Sequence, residues 1–307
     1  MKAAFFRQNG GPEALEFGEY PDPVLKPGEV VVDVHAASVN GADWRVVAGS
    51  YGPAAFLPYS PGRDFSGVVG ALGDGVTDFM VGDEVFGVCD VGVEAAYAEK
   101  VAIRAALLAR KPSGLSHVES AAIALIGLTA LCAVEDTLKI VASETVLVQG
   151  GAGGVASFAI QVARHTGCRV ISTTSAANID YVRSLGADQV IDYNAEDFIR
   201  VAADVDAVFD TVGGEVGVRS YLVLKPGGRA AFIASGPKAP PTPRTDVTGL
   251  RPAVGRDRAH LERISALISA GAVRVPEITV FPLSEAARAN MISKGRHFRG
   301  KLVLQVR

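Results

Sequence analysis

Residues 144–164 read ETVLVQGGAGGVASFAIQVAR. The run Val146, Leu147 and Val148 has strand character, while Val155, Phe158, Ala159, Val162 and Ala163 recur at helical spacing. Between them, Gly151-Ala152-Gly153-Gly154-Val155-Ala156 fits the pattern G-x-G-x-x-[G/A]. Glycines there let the backbone turn tightly and let a pyrophosphate approach, and the free N–H groups opening the helix meet its charge. An ordinary strand-to-helix turn also favours glycine, so these six residues alone leave both readings open. The surrounding order of elements decides in favour of a dinucleotide.

Downstream, strand and helix alternate: RVISTTS, NIDYVRSLGAD, QVIDY, AEDFIRVAA, VDAVFDTVG, then VGVRSYLVLKPGG as helix and RAAFIASG as strand. The connections are short, which predicts a doubly wound parallel sheet in an α/β fold. Upstream, residues 1–110 are β-rich. In PGEVVVDVHAASVN, Val30, Val32 and Val34 alternate with Val31, Asp33 and His35 after a Pro-Gly turn. Gly73-Asp74-Gly75 and Gly82-Asp83 break the following stretch into short strands, as in a small barrel. SHVESAAIALIGLTALCAVEDTL is long, apolar and helical, expected as two helices meeting near Gly127. The tail carries an amphipathic helix with Leu261, Ile264, Leu267 and Ile268 on one side, then β-type EITVFPL, a last helix and GKLVLQVR. The chain is expected to leave a first domain near residue 117 and return near 262, giving domains 1–117 with 262–307 and 118–261.

With 30 basic and 33 acidic residues the net charge is −3, no reason to expect nucleic acid or an anionic membrane as partner. No run of 18 apolar residues occurs and the start turns polar early, so a cytoplasmic protein without a membrane span is expected. Cys89, Cys132 and Cys168 lie far apart, which indicates neither a disulfide framework nor a zinc cluster.

Further motifs occur in order: Asn40-Gly41-Ala42-Asp43, Pro61-Gly62-Arg63-Asp64-Phe65-Ser66-Gly67, Gly82-Asp83-Glu84-Val85-Phe86-Gly87, Gly127-Leu128-Thr129-Ala130, LGADQVIDY and Arg299-Gly300-Lys301-Leu302-Val303. With GGAGGVA they cover nearly the whole chain, which resembles the medium-chain dehydrogenase/reductase superfamily and, within it, the zinc-free quinone oxidoreductase branch. The resemblance implies a GroES-like β-barrel catalytic domain and a Rossmann NADP-binding domain. Zinc-dependent relatives carry a cysteine near the Asn40 position and His-Glu where this chain has Arg63-Asp64. Zinc needs thiolate and imidazole ligands with an open position, so no metal is expected. His35, His117, His165, His260 and His297 have no ligand spacing and are read as surface or packing residues.

In NAD enzymes a carboxylate about 20 residues after the glycine turn bonds the ribose hydroxyls and would repel a 2′-phosphate. Here the strand ends Thr173-Thr174-Ser175, with no carboxylate before Asp180. Thr174, Ser175, Asn178 and Tyr193 are therefore expected around that phosphate, and NADP(H) is favoured. Relatives often place a lysine at the Asn178 position; Arg183 either supplies that charge or is a solvated helix arginine. Gly151, Ala152, Gly153, Gly154 and Val155 would hold the pyrophosphate. The resemblance adds Asn40 and Thr129 near the nicotinamide, Thr211, Val212, Ile233 and Ser235 at strand ends, and Phe298 and Arg299 in a return segment over the cofactor. Val212 and Ile233 read equally as core.

Without zinc, polarising donors must be hydroxyls, amides or water. The resemblance supplies Asn40 and Tyr51 as candidates from its matched motifs, with Asp43 organising the loop and Arg45 nearby; Tyr51 is either the active-site phenol that the resemblance implies or an exposed aromatic of a glycine-proline loop. Asp64 reads as a turn carboxylate. The expected activity is NADPH-dependent hydride transfer to quinones or α,β-unsaturated carbonyls. Enoyl-thioester reduction and a non-catalytic NADPH-binding sensor are the other readings. The resemblance also implies a homodimer paired near residues 246–254.

Overall fold

The computed structural model describes residues 1–51, 54 and 56–307. The chain begins with β1 (Lys2–Phe5), β2 (Glu16–Glu19), β3 (Glu29–Val39), α1 (Asp43–Val47), β4 (Asp64–Leu72), β5 (Glu84–Val88), β6 (Lys100–Arg104) and β7 (Leu108–Arg110). Then α2 (His117–Leu131) leads to β8 (Thr145–Gln149), α3 (Gly154–Thr166), β9 (Arg169–Thr174), α4 (Ile179–Ser184) and β10 (Gln189–Asp192). There follow α5 (Phe198–Val201), β11 (Val205–Asp210), α6 (Gly214–Arg219), β12 (Leu224–Phe232) and β13 (Thr248–Leu250). The last elements are α7 (Arg258–Ser269), β14 (Ile278–Pro282), α8 (Ala286–Gly295) and β15 (Lys301–Gln305). By its contacts the chain divides into one unit of Met1–Leu125, Arg256–Ser269 and Val275–Arg307, and another of Ile126–Gly255 and Ala270–Arg274.

In the first unit a largely antiparallel sheet runs β14-β15-β3-β4-β5-β7, with β6 also paired to β3. Strand β3 is its hub. Val30, Val32 and Val34 are buried and Val31, Asp33 and His35 are not, the alternation of a strand with one wet face. From Ala36 to Val39 burial becomes continuous. There the last strand, β15, pairs antiparallel with it, Ala36 facing Gln305 and Val39 facing Leu302. Val30, Val32, Phe65, Val85, Leu302 and Leu304 belong to one apolar core.

The second unit holds a parallel sheet ordered β10-β9-β8-β11-β12-β13. Its first strand, β8, is central, and the order reverses between β8 and β11. Ligands of such sheets bind outside the carboxyl ends of the strands at that reversal. This is the doubly wound α/β fold that the alternation of elements indicates, with the GroES-like domain that the resemblance implies.

Two local expectations are corrected, and Arg183 is located. The region around Gly127 is one helix, not two: α2 runs through Gly127 and continues as a π-helix, Cys132–Thr137. A mid-helix glycine costs about 1 kcal/mol, which the burial of its apolar neighbours exceeds. His117–Thr137 is long and apolar enough to cross a membrane, yet 78% of its apolar window is buried inside the protein. The helix expected over 216–228 gives way by residue 224, where β12 begins. Its register to β11 jumps from Val205↔Leu224 to Ala207↔Arg229, so Pro226 sits in a bulge where no ladder N–H is required. Finally, Arg183 pairs with Asp180 at 3.5 Å on the exposed face of α4.

Candidate active site

In the second unit the glycine turn follows directly from β8. Gly150 takes a φ of 78°, left-handed backbone that glycine adopts without strain. A Cβ on Gly151 would run into the Ser172 hydroxyl and lie 3.0 Å from Val182 and 3.2 Å from Ile160. That position must lack a side chain for α3 to pack so close to β9. Thr173 ties the turn to the sheet: its hydroxyl accepts from the Gly150 N–H at 3.1 Å, and its carbonyl accepts from the Gly151 N–H at 2.8 Å. The Thr173 hydroxyl in turn donates to Gln149 Oε1 at 2.6 Å. Helix α3 then starts at an N-cap, Gly153, that offers no side chain to its first N–H groups. A helix start without a capping side chain presents donors and positive potential to an incoming anion. Gly151, Ala152, Gly153, Gly154 and Val155 are thus brought together as a glycine-rich cradle at the start of α3.

Strand β9 ends at Thr174, which is buried, and Ser175 beyond it is half-buried. Asn178 Nδ2 donates to the Ser175 hydroxyl at 3.1 Å. The Tyr193 N–H donates to the Thr174 carbonyl at 3.1 Å, so Tyr193 arrives at the same strand end with its ring exposed. Four residues expected from spacing therefore converge beside the cradle, and Asp180 points fully to solvent. At the end of β11, the Thr211 hydroxyl donates to the Gln149 carbonyl at 2.8 Å. The buried Asp210 carboxylate accepts the N–H groups of Val212 (3.2 Å) and Gly213 (2.9 Å), and burial raises its pKa. Ile233 is half-buried just past β12, and the Ser235 hydroxyl donates to the Lys238 carbonyl at 2.8 Å. Thr129 is buried on α2.

The first unit contains a different construction, a buried cluster of ionisable groups at the ends of β3, β4 and β15. Asp64 opens β4 with no exposure. Its carboxylate accepts the Ser38 hydroxyl at 2.6 Å, Asn40 Nδ2 at 2.6 Å and the Leu125 N–H at 3.1 Å. On the other side of the same amide, Lys301 Nζ donates to Asn40 Oδ1 at 2.5 Å and to the Val39 carbonyl at 2.8 Å. Asn40 is thereby committed at both ends of its side chain.

Asp43, at the start of α1, accepts the Asn40 N–H and the Tyr97 hydroxyl, each at 2.8 Å, and lies 3.6 Å from Arg63. Burial raises its carboxyl to about 6, although Arg63 works in the opposite direction. Arg63, equally buried, reaches Glu94 at 3.2 Å, and Glu94 accepts the Tyr59 hydroxyl and the Gly92 N–H (2.9 Å). Burial acts to strip the charge from Arg63; Asp43 and Glu94 outweigh it and hold its pKa above the ordinary value. Over this buried floor, the ring of Tyr51 stacks on the Arg63 guanidinium, 4.4 Å from carbon to centroid, and stays 42% exposed. Tyr51 is thus the cluster's surface member. Phe298 packs against the core of this unit, and Arg299 pairs with Glu277 at 2.6 Å.

Sequence reasoning missed Lys301, Glu94, Tyr59 and Tyr97 as partners and read Asp64 only as a turn. Lys301 had a signal: an ionisable residue opening the otherwise apolar strand β15. Glu94 had none, because only the fold carries it to Arg63.

Two cations, Arg63 and Lys301, stand among three carboxylates, Asp43, Asp64 and Glu94, each with partners inside the cluster, which makes a pre-arranged frame rather than a nucleophile or a proton relay. Nor does its donor set fit a divalent ion. Asn40 Oδ1 already faces an ammonium, and three hydrogen-bond donors fill the Asp64 carboxylate.

Comparison with known proteins gives the following. The model of the alcohol dehydrogenase GroES-like domain matches residues 26–113, and that of zinc-binding dehydrogenases matches residues 185–304. The NADPH-dependent alkenal/one oxidoreductase of Arabidopsis thaliana is 32% identical over 99% of this chain and 79% of its own. The quinone oxidoreductase from Coxiella burnetii superposes with a TM-score of 0.92 at 34% identity, covering 100% of this chain and 99% of that one. A structure described as an NAD-dependent alcohol dehydrogenase superposes with a TM-score of 0.91 at 31% identity, covering 100% of both chains.

Proposed function

The chain belongs to the quinone oxidoreductase branch of the medium-chain dehydrogenase/reductase superfamily and is an oxidoreductase, and we propose that it reduces quinones or α,β-unsaturated carbonyls with NADPH and without zinc. The observation that carries the cofactor choice is the end of β9. The names of similar proteins include both an NADPH and an NAD dependence, so this chain's own residues must decide. Thr174, Ser175, Asn178 and Tyr193 converge there, and no carboxylate is among them. Hydroxyl and amide groups accommodate a 2′-phosphate that an acidic side chain would repel.

In this reading, Gly151, Ala152, Gly153, Gly154 and Val155 hold the pyrophosphate. Thr129, Thr211, Val212, Ile233 and Ser235 line the nicotinamide half, and Asn40, Phe298 and Arg299 complete the contacts. A bound NADPH supplies hydride to an electrophilic carbon. The chain's residues then have two tasks: to orient the acceptor and to stabilise charge growing on its oxygen. Tyr51 is the exposed hydroxyl candidate, held by Arg63. Asp43 organises the loop from beneath by fixing Asn40 and Tyr97.

We further read residues 1–117 with 262–307 as the catalytic domain and 118–261 as the NADP-binding domain, in a cytoplasmic homodimer. The edge strand β13 supports the pairing, and a monomer in light scattering at micromolar concentration would count against it.

The test is an oxidation assay with NADPH and NADH over a panel of quinones, alkenals and enoyl thioesters, with and without chelator. Chelator-insensitive turnover of quinones or enones with preference for NADPH is expected. Chelator-sensitive alcohol oxidation would overturn the reading, and tight NADPH binding without turnover would favour the sensor.

A further inference from the structure

Lys301 is only 4% exposed, and an ammonium so placed needs acceptors at close range. It finds the Val39 carbonyl and Asn40 Oδ1. The amide it engages ends on Asp64, whose second oxygen takes the Ser38 hydroxyl and the Leu125 N–H. Ammonium, amide and carboxylate thus form a chain with one polarity. Turning the Asn40 side chain over would set its NH2 against Nζ and its oxygen against Asp64, two repulsive contacts in place of two attractive ones. Burial lowers the Lys301 pKa, and the nearby carboxylates of Asp64 and Asp43 oppose it.

We propose that Lys301 is a positioning residue of the reductase: its ammonium is the resident cation beside Asn40 and Asp64, which locks the Asn40 amide in one orientation and occupies the place a divalent metal would need there. The proposal rests on the reading of Asn40 as a site residue. It also gives the expected metal independence a structural cause, since removing one side chain would leave Asp64 without a cation.

Four variants of the full-length protein test it: Lys301→Met, Lys301→Arg, Asn40→Ala and the Asn40→Ala/Lys301→Met pair. Each is assayed at saturating NADPH and titrated with Co2+ while melting temperature and visible absorption are followed. Lys301→Met should lower kcat about 10- to 100-fold, the loss expected from a displaced orienting group. Its KM for NADPH should change less than about threefold. In the Asn40→Ala background, adding Lys301→Met should cost less than about threefold more, because both changes remove one interaction. Co2+ should leave the wild type and Lys301→Arg unchanged and stabilise Lys301→Met.

Fully additive losses in kcat, a Lys301→Met rate close to wild type, or stoichiometric Co2+ binding by the wild type would each overturn the proposal. If Lys301→Met does not fold, wild-type and Lys301→Arg titrations decide, because Co2+ binding by either contradicts a resident cation. Wild-type rates in Asn40→Ala would instead defeat the reading of Asn40, a result separate from additivity.

Discussion

The glycine turn at 150–154 and the cluster around Asp64 handle charge in opposite ways. The turn spends the Gly150 and Gly151 N–H groups on Thr173 but starts α3 without a side-chain cap, as a site for an anion requires. The cluster spends its charges on itself, Arg63 on Asp43 and Glu94, Lys301 and Asn40 on Asp64. In the proposed function one region is a receptor and the other a frame. Damage to the first should therefore appear in ligand affinity, and damage to the second in stability and rate.

The largest effect expected on ligand affinity is from Gly151→Val. The new side chain meets Ser172, Val182 and Ile160 and forces the turn away from β9. NADPH affinity, followed by fluorescence titration, should fall about 100-fold, at the upper end of an overpacking cost of about 1–3 kcal/mol. Unchanged affinity would remove the turn from the receptor.

Arg63→Met attacks the frame instead. It leaves Asp43 and Glu94 buried with no cation between them and should cost about 3–5 kcal/mol in urea unfolding. A mild loss of stability together with lost NADPH affinity would erase the distinction between receptor and frame.

Ser175→Glu sharpens the receptor's specificity. A carboxylate at the end of β9 should raise KM for NADPH about tenfold and change KM for NADH less than about twofold, measured in parallel. Equal changes would mean that this strand end does not contact the 2′-phosphate.

The smallest effect concerns pH. His35 and His117 stack with centroids 4.3 Å apart. Burial lowers both; Arg307 adds to the effect at His35, and His35 and Lys111 add to it at His117, while Asp33 and Glu84 oppose. Depressed histidines bind fewer protons folded than unfolded, so their contribution is present above the ordinary value of 6.5 and fades as pH falls through it. Melting temperature should thus drop between pH 7 and about 5.5. A His35→Gln/His117→Gln variant should lose that drop. It would leave the contribution of Asp43, raised to about 6, whose sign is opposite: stability lost as pH rises through that value.

The same contrast explains which parts of the molecule are legible in the sequence. The turn, its strand and its helix are contiguous, so spacing reports them, and the order of β8 to β13 follows from alternation and short connections. Thr174 and Ser175 lie within one strand end and are legible for the same reason. The frame is assembled across the chain: Lys301 and Asn40 are 261 positions apart. No local period encodes such a pair, and only the resemblance places Asn40 and Asp43 near the chemistry. Local rules fail where burial overrides them, as at Gly127 inside α2. They fail too where a bulge absorbs Pro226 inside β12.

The pairing of β15 with residues 36–39 of β3 has a consequence for the order of biosynthesis. A ribosome releases β3 hundreds of residues before its partner, so that edge waits with its hydrogen-bonding groups unmet. The parallel sheet from β8 to β13 is complete earlier, because all its strands precede residue 251. The nascent chain should therefore acquire its parallel sheet first and carry an open strand edge, a target for chaperones, until β15 has been made. Lys301 belongs to that later strand, so the frame receives its ammonium only after the strands of the parallel sheet have been made. NADPH binding by truncated nascent chains should then precede the earliest detectable turnover.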